Sequence, residues 1–173
     1  MGIVQRPSDG SNTSQSGFAD YNDTSTAASP LVIVADTWTT IPNNGLGGFT
    51  NISKLPSGVT QLMDTSDGSF DFSELSLGDG CLIRNDFTIT PNTNNALLEA
   101  RYELGNGGGI YTLETILGRL DSGSGKGYRF SLIPELIYMG DLNTKDNPIK
   151  FQVKLSTNGT LINAGSAIQV VKR

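Results

Sequence analysis

The strongest constraint on the fold is an alternation of period two through residues 80–104. In Gly80–Thr90, Cys81, Ile83, Asn85, Phe87 and Ile89 fall on one side of an extended chain, with Leu82, Arg84, Asp86, Thr88 and Thr90 on the other. This is the repeat of a β-strand with one buried face, since successive side chains of a strand point to opposite sides. Pro91-Asn92-Thr93-Asn94-Asn95 supplies turn residues. Ala96–Leu104 then alternates again, with Leu98, Ala100, Tyr102 and Leu104 against Glu99, Arg101 and Glu103. The two runs are expected to pair as a hairpin at the centre of an all-β domain.

Shorter runs of the same character lie on both sides. Leu31–Ala35, Asp36–Pro42, Phe49–Leu55, Val59–Met63 and Phe70–Leu75 precede the hairpin; Ile110–Leu117, Tyr128–Met139, Ile149–Leu155 and Ala167–Val171 follow it. Pro134 predicts a bend or an edge position in the Tyr128–Met139 run, because proline cannot donate to a ladder. Asn43-Asn44-Gly45 and Asn158-Gly159 are turn signals, and Thr160–Asn163 is placed to start the last strand early. Trp38 is expected to pack on a sheet and Cys81 in the core. No long amphipathic helix and no internal repeat is visible. Eight to ten short strands punctuated by turns predict a sandwich or barrel.

Residues 2–30 differ in character. Ser, Thr, Asn, Asp and Gly dominate, and Ile3, Val4, Phe18 and Tyr21 are the few large apolar anchors. Such a segment buries too little apolar surface to offset its ordering entropy alone. The expectation is an extended polar arm over 1–30 that meets a partner through those four residues, followed by a folded domain over 31–173.

Composition excludes much chemistry. The chain has 173 residues, no histidine and one cysteine, so Ser-His-Asp triads, His-ligated zinc and intrachain disulfides are ruled out. Twelve basic residues against 17 acidic ones, scattered along the chain, leave no basic patch for nucleic acid. No apolar run reaches the ~20 residues that span a bilayer. Met1–Arg6 lacks the apolar stretch of a signal peptide, and Arg6 stands where a myristoylation site needs Ser or Thr. Synthesis in the cytoplasm is expected.

Gly123-Ser124-Gly125-Lys126-Gly127 has Leu120 and Gly127 at two defining positions of a phosphate-binding loop and reads as a hairpin loop. Gly105–Gly109 fails the dinucleotide fingerprint at Ile110. Asp64, Asp67, Asp71 and Glu74 are dense in carboxylate oxygens but lack the frame of a calcium loop. No cofactor, metal or catalytic residue is assigned, and the chain is read as no enzyme.

Asp36-Thr37-Trp38-Thr39, the Phe70–Leu75 segment, Arg84-Asn85-Asp86-Phe87 and Asn147-Pro148-Ile149 resemble, in order and spacing, the tumour-necrosis-factor/C1q-like jelly rolls of accessory virion proteins of tailed bacteriophages. The resemblance covers residues 31–173. It implies a jelly-roll sandwich of two sheets, a homotrimer, and an arm that docks on the major capsid protein or another virion protein. A trimer would bury apolar strand faces, and Tyr102, Tyr111, Tyr128, Phe130 and Tyr138 are the contact candidates. The expected function is a homotrimeric capsid decoration protein of the virion. The alternative is a receptor-binding tail-fibre tip that meets a cell-surface glycan or protein through loops 43–48, 105–109, 121–127 and 141–148. A carbohydrate-active enzyme on the same sandwich ranks third.

Overall fold

The computed structural model describes residues 16–121 and 124–173. Its strands are β1 (Ser16–Asn22), β2 (Leu31–Ile33), β3 (Thr39–Thr40), β4 (Asn51–Lys54), β5 (Met63–Asp64), β6 (Ser69–Phe70) and β7 (Gly80–Pro91), then β8 (Ala96–Leu104), β9 (Tyr111–Leu120), β10 (Tyr128–Ser131), β11 (Glu135–Tyr138), β12 (Lys150–Leu155) and β13 (Gly159–Val171). Two single-turn helices, α1 (Ser25–Ala28) and α2 (Leu142–Lys145), and a 3-10 turn at Gly107–Gly109 complete the described elements.

The chain is an all-β jelly-roll sandwich. A seven-stranded sheet runs β10-β7-β13-β1-β4, with β11 also on β7 and β2 also on β13; a four-stranded sheet runs β3-β12-β8-β9. Every ladder is antiparallel. The core lies between the layers and is filled by the faces that alternation selects: Cys81, Ile83, Phe87 and Ile89 from β7, and Leu98 and Leu104 from β8, are all buried. β12 inserts Phe151, Val153 and Leu155 between them. β10 and β11 both pair with β7 on its outer edge and are separated by residues 132–134, so Pro134 marks both a bend and an edge.

The expected central hairpin does not form. β7 pairs with β13, β10 and β11, whereas β8 pairs with β12 and β9 in the other layer. Residues 92–95 are a corner between sheets. Alternation assigns each strand its buried face, and both strands do bury it, but they do so towards each other across the core. The β9–β10 connection, read as a hairpin loop, likewise passes between sheets. The runs at Val59–Met63 and Phe70–Leu75 pair only in the short β5–β6 ladder and a bridge from Phe70 to Ile149, though Leu62, Phe70 and Phe72 are buried in the core.

The boundary at residue 30 is also corrected. β1 lies between β13 and β4, with Ser16 opposite Val171 and Asn22 opposite Gly165. Ala19 and Tyr21 are its buried anchors. The Tyr21 hydroxyl accepts from the Leu62 amide at 2.9 Å. The polar residues that follow are structural: Asp23 accepts from the amides of Ser25, Thr26 and Asn44, and from both hydroxyls of Ser25 and Thr26. Thr26 Oγ1 in turn accepts from the Asn163 amide on β13 at 2.8 Å, and Asn163 Nδ2 reaches the Pro42 carbonyl. A low apolar content here supports a hydrogen-bonded clasp on the sheet. Ile3 and Val4 lie outside the described residues.

Candidate interaction surface

The two layers do not close on each other along one flank. There the edge strand β9 of the smaller sheet faces β10, β11 and the bend between them in the larger one. Register places Tyr111, Leu113 and Thr115 opposite Leu104, Tyr102 and Ala100, on the inward face of β9. Tyr128 and Phe130 oppose the buried Ile89 and Phe87, so they also point inward, at the margin of their sheet. The result is a mouth whose walls are core-facing side chains without a core to cover them.

A cleft of about 310 Å³ opens in this mouth, walled by Leu113 and Leu117 on one lip and Leu132 and Ile133 on the other. Ala100, Tyr102 and Phe151 form its floor, with Arg101, Thr115 and Glu135 as its polar groups. A shallower groove continues it past Tyr111, Leu136 and Tyr138 to Thr144, whose hydroxyl is 2.7 Å from that of Tyr111. The floor is rigid because its rings pack on one another: Tyr102–Phe151 centroids are 5.3 Å apart and Phe87–Phe151 6.1 Å.

The five aromatic candidates separate clearly. Tyr111 and Tyr138 are exposed on opposite lips. Phe130 stacks on Phe87 at 5.4 Å and is half-buried, as is Tyr128, which has the Lys126 ammonium 5.5 Å from its ring centroid. Tyr102 is only 5% exposed and hydrogen-bonded inside the sandwich, so it cannot serve as a surface contact. Burial, aided by the charge of Glu135, pushes its hydroxyl well above the ordinary tyrosine range despite the Asn85 hydrogen bond. Of the two arm anchors that are described, Tyr21 is 3% exposed and belongs to the core, whereas Phe18 remains half exposed on the outer face of the larger sheet.

Residue-type reasoning missed the aliphatic part of the mouth. Ile133 is 90% exposed at the bend and Leu136 is exposed on the adjoining β11, whereas the exposed Ile116 pairs with Glu99 on the other face of β9. The available signals were Ile133-Pro134 at a strand break and the Ile110–Leu117 run, which places apolar residues on both faces. Tyr111, Ile133, Leu136 and Tyr138, each 41–90% exposed, are the large apolar side chains left open at the two lips.

The carboxylates weighed for calcium sit elsewhere and are locally engaged. Asp64, Asp67 and Asp71 each accept from the amide two residues on, closing turns. Glu74 accepts from the amides of Thr60 and Gln61 and from the Thr60 hydroxyl, and these bonds hold its carboxyl below the usual range. On the outer face of the smaller sheet, Trp38 lies between the Arg101 guanidinium and the Lys154 ammonium, 4.3 and 4.7 Å from its ring centroid.

No protein-family model matches the chain, and no curated protein matches it. Among solved structures, a chain of the infectious bursal disease virus Gt strain aligns with a TM-score of 0.45 and 10% identity, covering 92% of this chain and 32% of its own length. The PRD1 vertex protein P5 aligns with a TM-score of 0.36 and 16% identity over 92% of this chain and 97% of its own. This chain thus spans about a third of the first of these.

Proposed function

We propose that the protein is a non-enzymatic structural component of a virion: a homotrimeric capsid decoration protein of a bacteriophage, whose copies join through the mouth of the sandwich. The observation that carries this reading is the mouth itself. Exposed apolar side chains gathered on one flank beside polar groups are characteristic of an interaction site. Two unpaired sheet edges meet there, and a neighbouring copy would cover both. The sequence resemblance to accessory virion jelly rolls supplies the three-fold arrangement and the particle as partner. The docking segment is narrowed to residues 1–15, with Ile3 and Val4 as its anchors and Phe18 beside its root.

The test is twofold. Light scattering on the full chain should return three times 18.4 kDa. Co-sedimentation with decoration-free phage shells should retain the protein and lose it when Ile3 and Val4 are replaced by Asp. A monomer at high concentration would defeat the trimer, and failure to sediment would defeat the shell as partner.

A second reading is supported by the loop after Pro42. Leu46 and Phe49 project from it into solvent, while Asn43 and Asn44 tether its base to Gly45, Leu46 and Thr24. A rigid loop with apolar tips suits a receptor-binding tail-fibre tip. Glycan-array or host-cell binding, abolished by Phe49→Ser, would favour that reading over decoration.

A further inference from the structure

The mouth of the sandwich holds a carboxylate that its own chain leaves unpaired. Glu135 opposes the buried Ile83, so it points to the inward side of β11 and lines the cleft. It is half-buried, and its charge helps to raise the Tyr102 hydroxyl on the floor. Among the described residues Glu135 enters no ion pair. Arg101, the other charged residue of the cleft, is committed elsewhere: its guanidinium donates to Gln152, Glu103 and Glu114. Partial burial penalises a lone charge, so this site favours a cation that brings its own apolar stem.

Arg129 is the complement. It opposes Thr88, so it stands on the outer side of β10, exposed and without an ion pair among the described residues. Lys126, close by in sequence, lies over the Tyr128 ring, and Lys54 sits on β4 at the far edge of the sheet. Within one chain Arg129 and Glu135 cannot meet. Their partners Thr88 and Ile83 are five residues apart on β7, which is about 17 Å, and the two side chains leave opposite sides of that edge. A donor and an acceptor on two sides of one edge make a heterologous contact. Each copy offers one patch and receives the other, and such contacts close into rings when the rotation allows.

We propose that the cleft of each copy takes the Arg129 side chain of a second copy, with its methylenes along Leu113, Leu132 and Phe151 and its guanidinium on Glu135. This rests on the trimer joined through the mouth and names the contact that closes it. Arginine suits the place because its planar fork meets a carboxylate at two points and sheds water more readily than an ammonium.

Charge reversal and cross-linking in the full chain test it. Arg129→Glu alone, or Glu135→Arg alone, should raise the concentration at which the trimer half-dissociates by at least about tenfold in light scattering. The double variant, Arg129→Glu with Glu135→Arg, should return it close to that of the parent. A second variant puts no charge in the cleft: Arg129→Cys with Glu135→Cys should, under mild oxidation, link chains to one another up to a covalent trimer. Either cysteine alone should not, and the distance between the two positions excludes a bond within one chain. The cross-link decides where the two measurements disagree. A trimeric parent whose double-cysteine variant forms no bonds between chains would overturn this contact and leave the trimer standing. A monomeric parent would overturn both.

Discussion

Asn85 on β7 donates to the Tyr102 hydroxyl on β8 at 2.6 Å, across the interior of the sandwich. Ser166 on β13 donates to the other end of the same amide, also at 2.6 Å, and the Tyr102 hydroxyl donates to the Ile83 carbonyl. These polar groups stitch two layers that contiguous sequence would have laid side by side. Each is satisfied only if β7 and β8 face each other in this one register. Tyr102→Phe strands the Asn85 amide in the core, where an unmet donor costs about 1–3 kcal/mol. Urea unfolding should register that loss. In a double-mutant cycle with Asn85→Ala, the two substitutions should be strongly non-additive. Additive effects would mean that the bond contributes nothing of its own.

The Asp23 clasp should make stability sensitive to acid. Burial alone would raise its pKa, but hydrogen bonds from Thr26, Ser25 and Asn44 together outweigh it and hold the carboxyl below the ordinary value. The unfolded chain then binds the proton more tightly than the folded one. The contribution is complete above the unfolded value, about 3.9, and is lost as pH falls through the folded pKa. The gap in Tm between the native protein and Asp23→Ala should therefore be wide at pH 7 and shrink below pH 4. A gap that stays constant with pH would assign the effect to packing.

Gly165 sits at the bulge of β13 with φ +142°, a region that side-chain-bearing residues rarely occupy. An added Cβ would also meet the Tyr21 carbonyl oxygen and lie 2.8 Å from Asn22 Cα, both in β1. Gly165→Ala should cost more than about 2 kcal/mol, from strain and collision together. Gly48→Ala, where a Cβ meets nothing within 4 Å, should stay within about 0.5 kcal/mol of the parent.

Cys81 is fully buried between the layers, and burial, with the Asp79 charge adding to it, pushes its thiol up to about 12. The thiolate is the reactive form, so the native protein should resist a thiol reagent at pH 8 and label fully in denaturant. Rapid native labelling would mean that the sandwich opens locally at β7.

The sequence exposes each strand's buried face far better than its neighbours. Alternation in β7, β8 and β12 selects the core side chains because a one-residue slip would turn them all outward. It carries no information on whether Pro91–Asn95 turns within a sheet or between sheets. Residues 16–28 escaped notice for a related reason: only Ala19, Tyr21, Asp23 and Thr26 are buried among polar neighbours, and Asp23 and Thr26 find their partners at Asn44 and Asn163. The mouth was not legible in residue type alone, because Tyr102 and Tyr111 look alike until the fold buries one and exposes the other.

The mouth makes the last prediction. Ile133 and Tyr138 stand on the same lip, beyond the support of their own core, so charging them should leave the monomer intact while opposing any interface that covers them. Burying one large apolar side chain contributes roughly 1.5–3 kcal/mol, and an Asp in its place adds a desolvation penalty. Ile133→Asp with Tyr138→Asp should therefore convert a species of three times 18.4 kDa to a single chain in light scattering at micromolar concentration. Trp38, the only tryptophan, reports independently on the fold, because Arg101 and Lys154 hold it on the outer face of the four-stranded sheet. Its emission spectrum should be unchanged in the variant. A shifted spectrum would signal unfolding, whereas an unshifted spectrum with the mass still trebled would place the interface on another face.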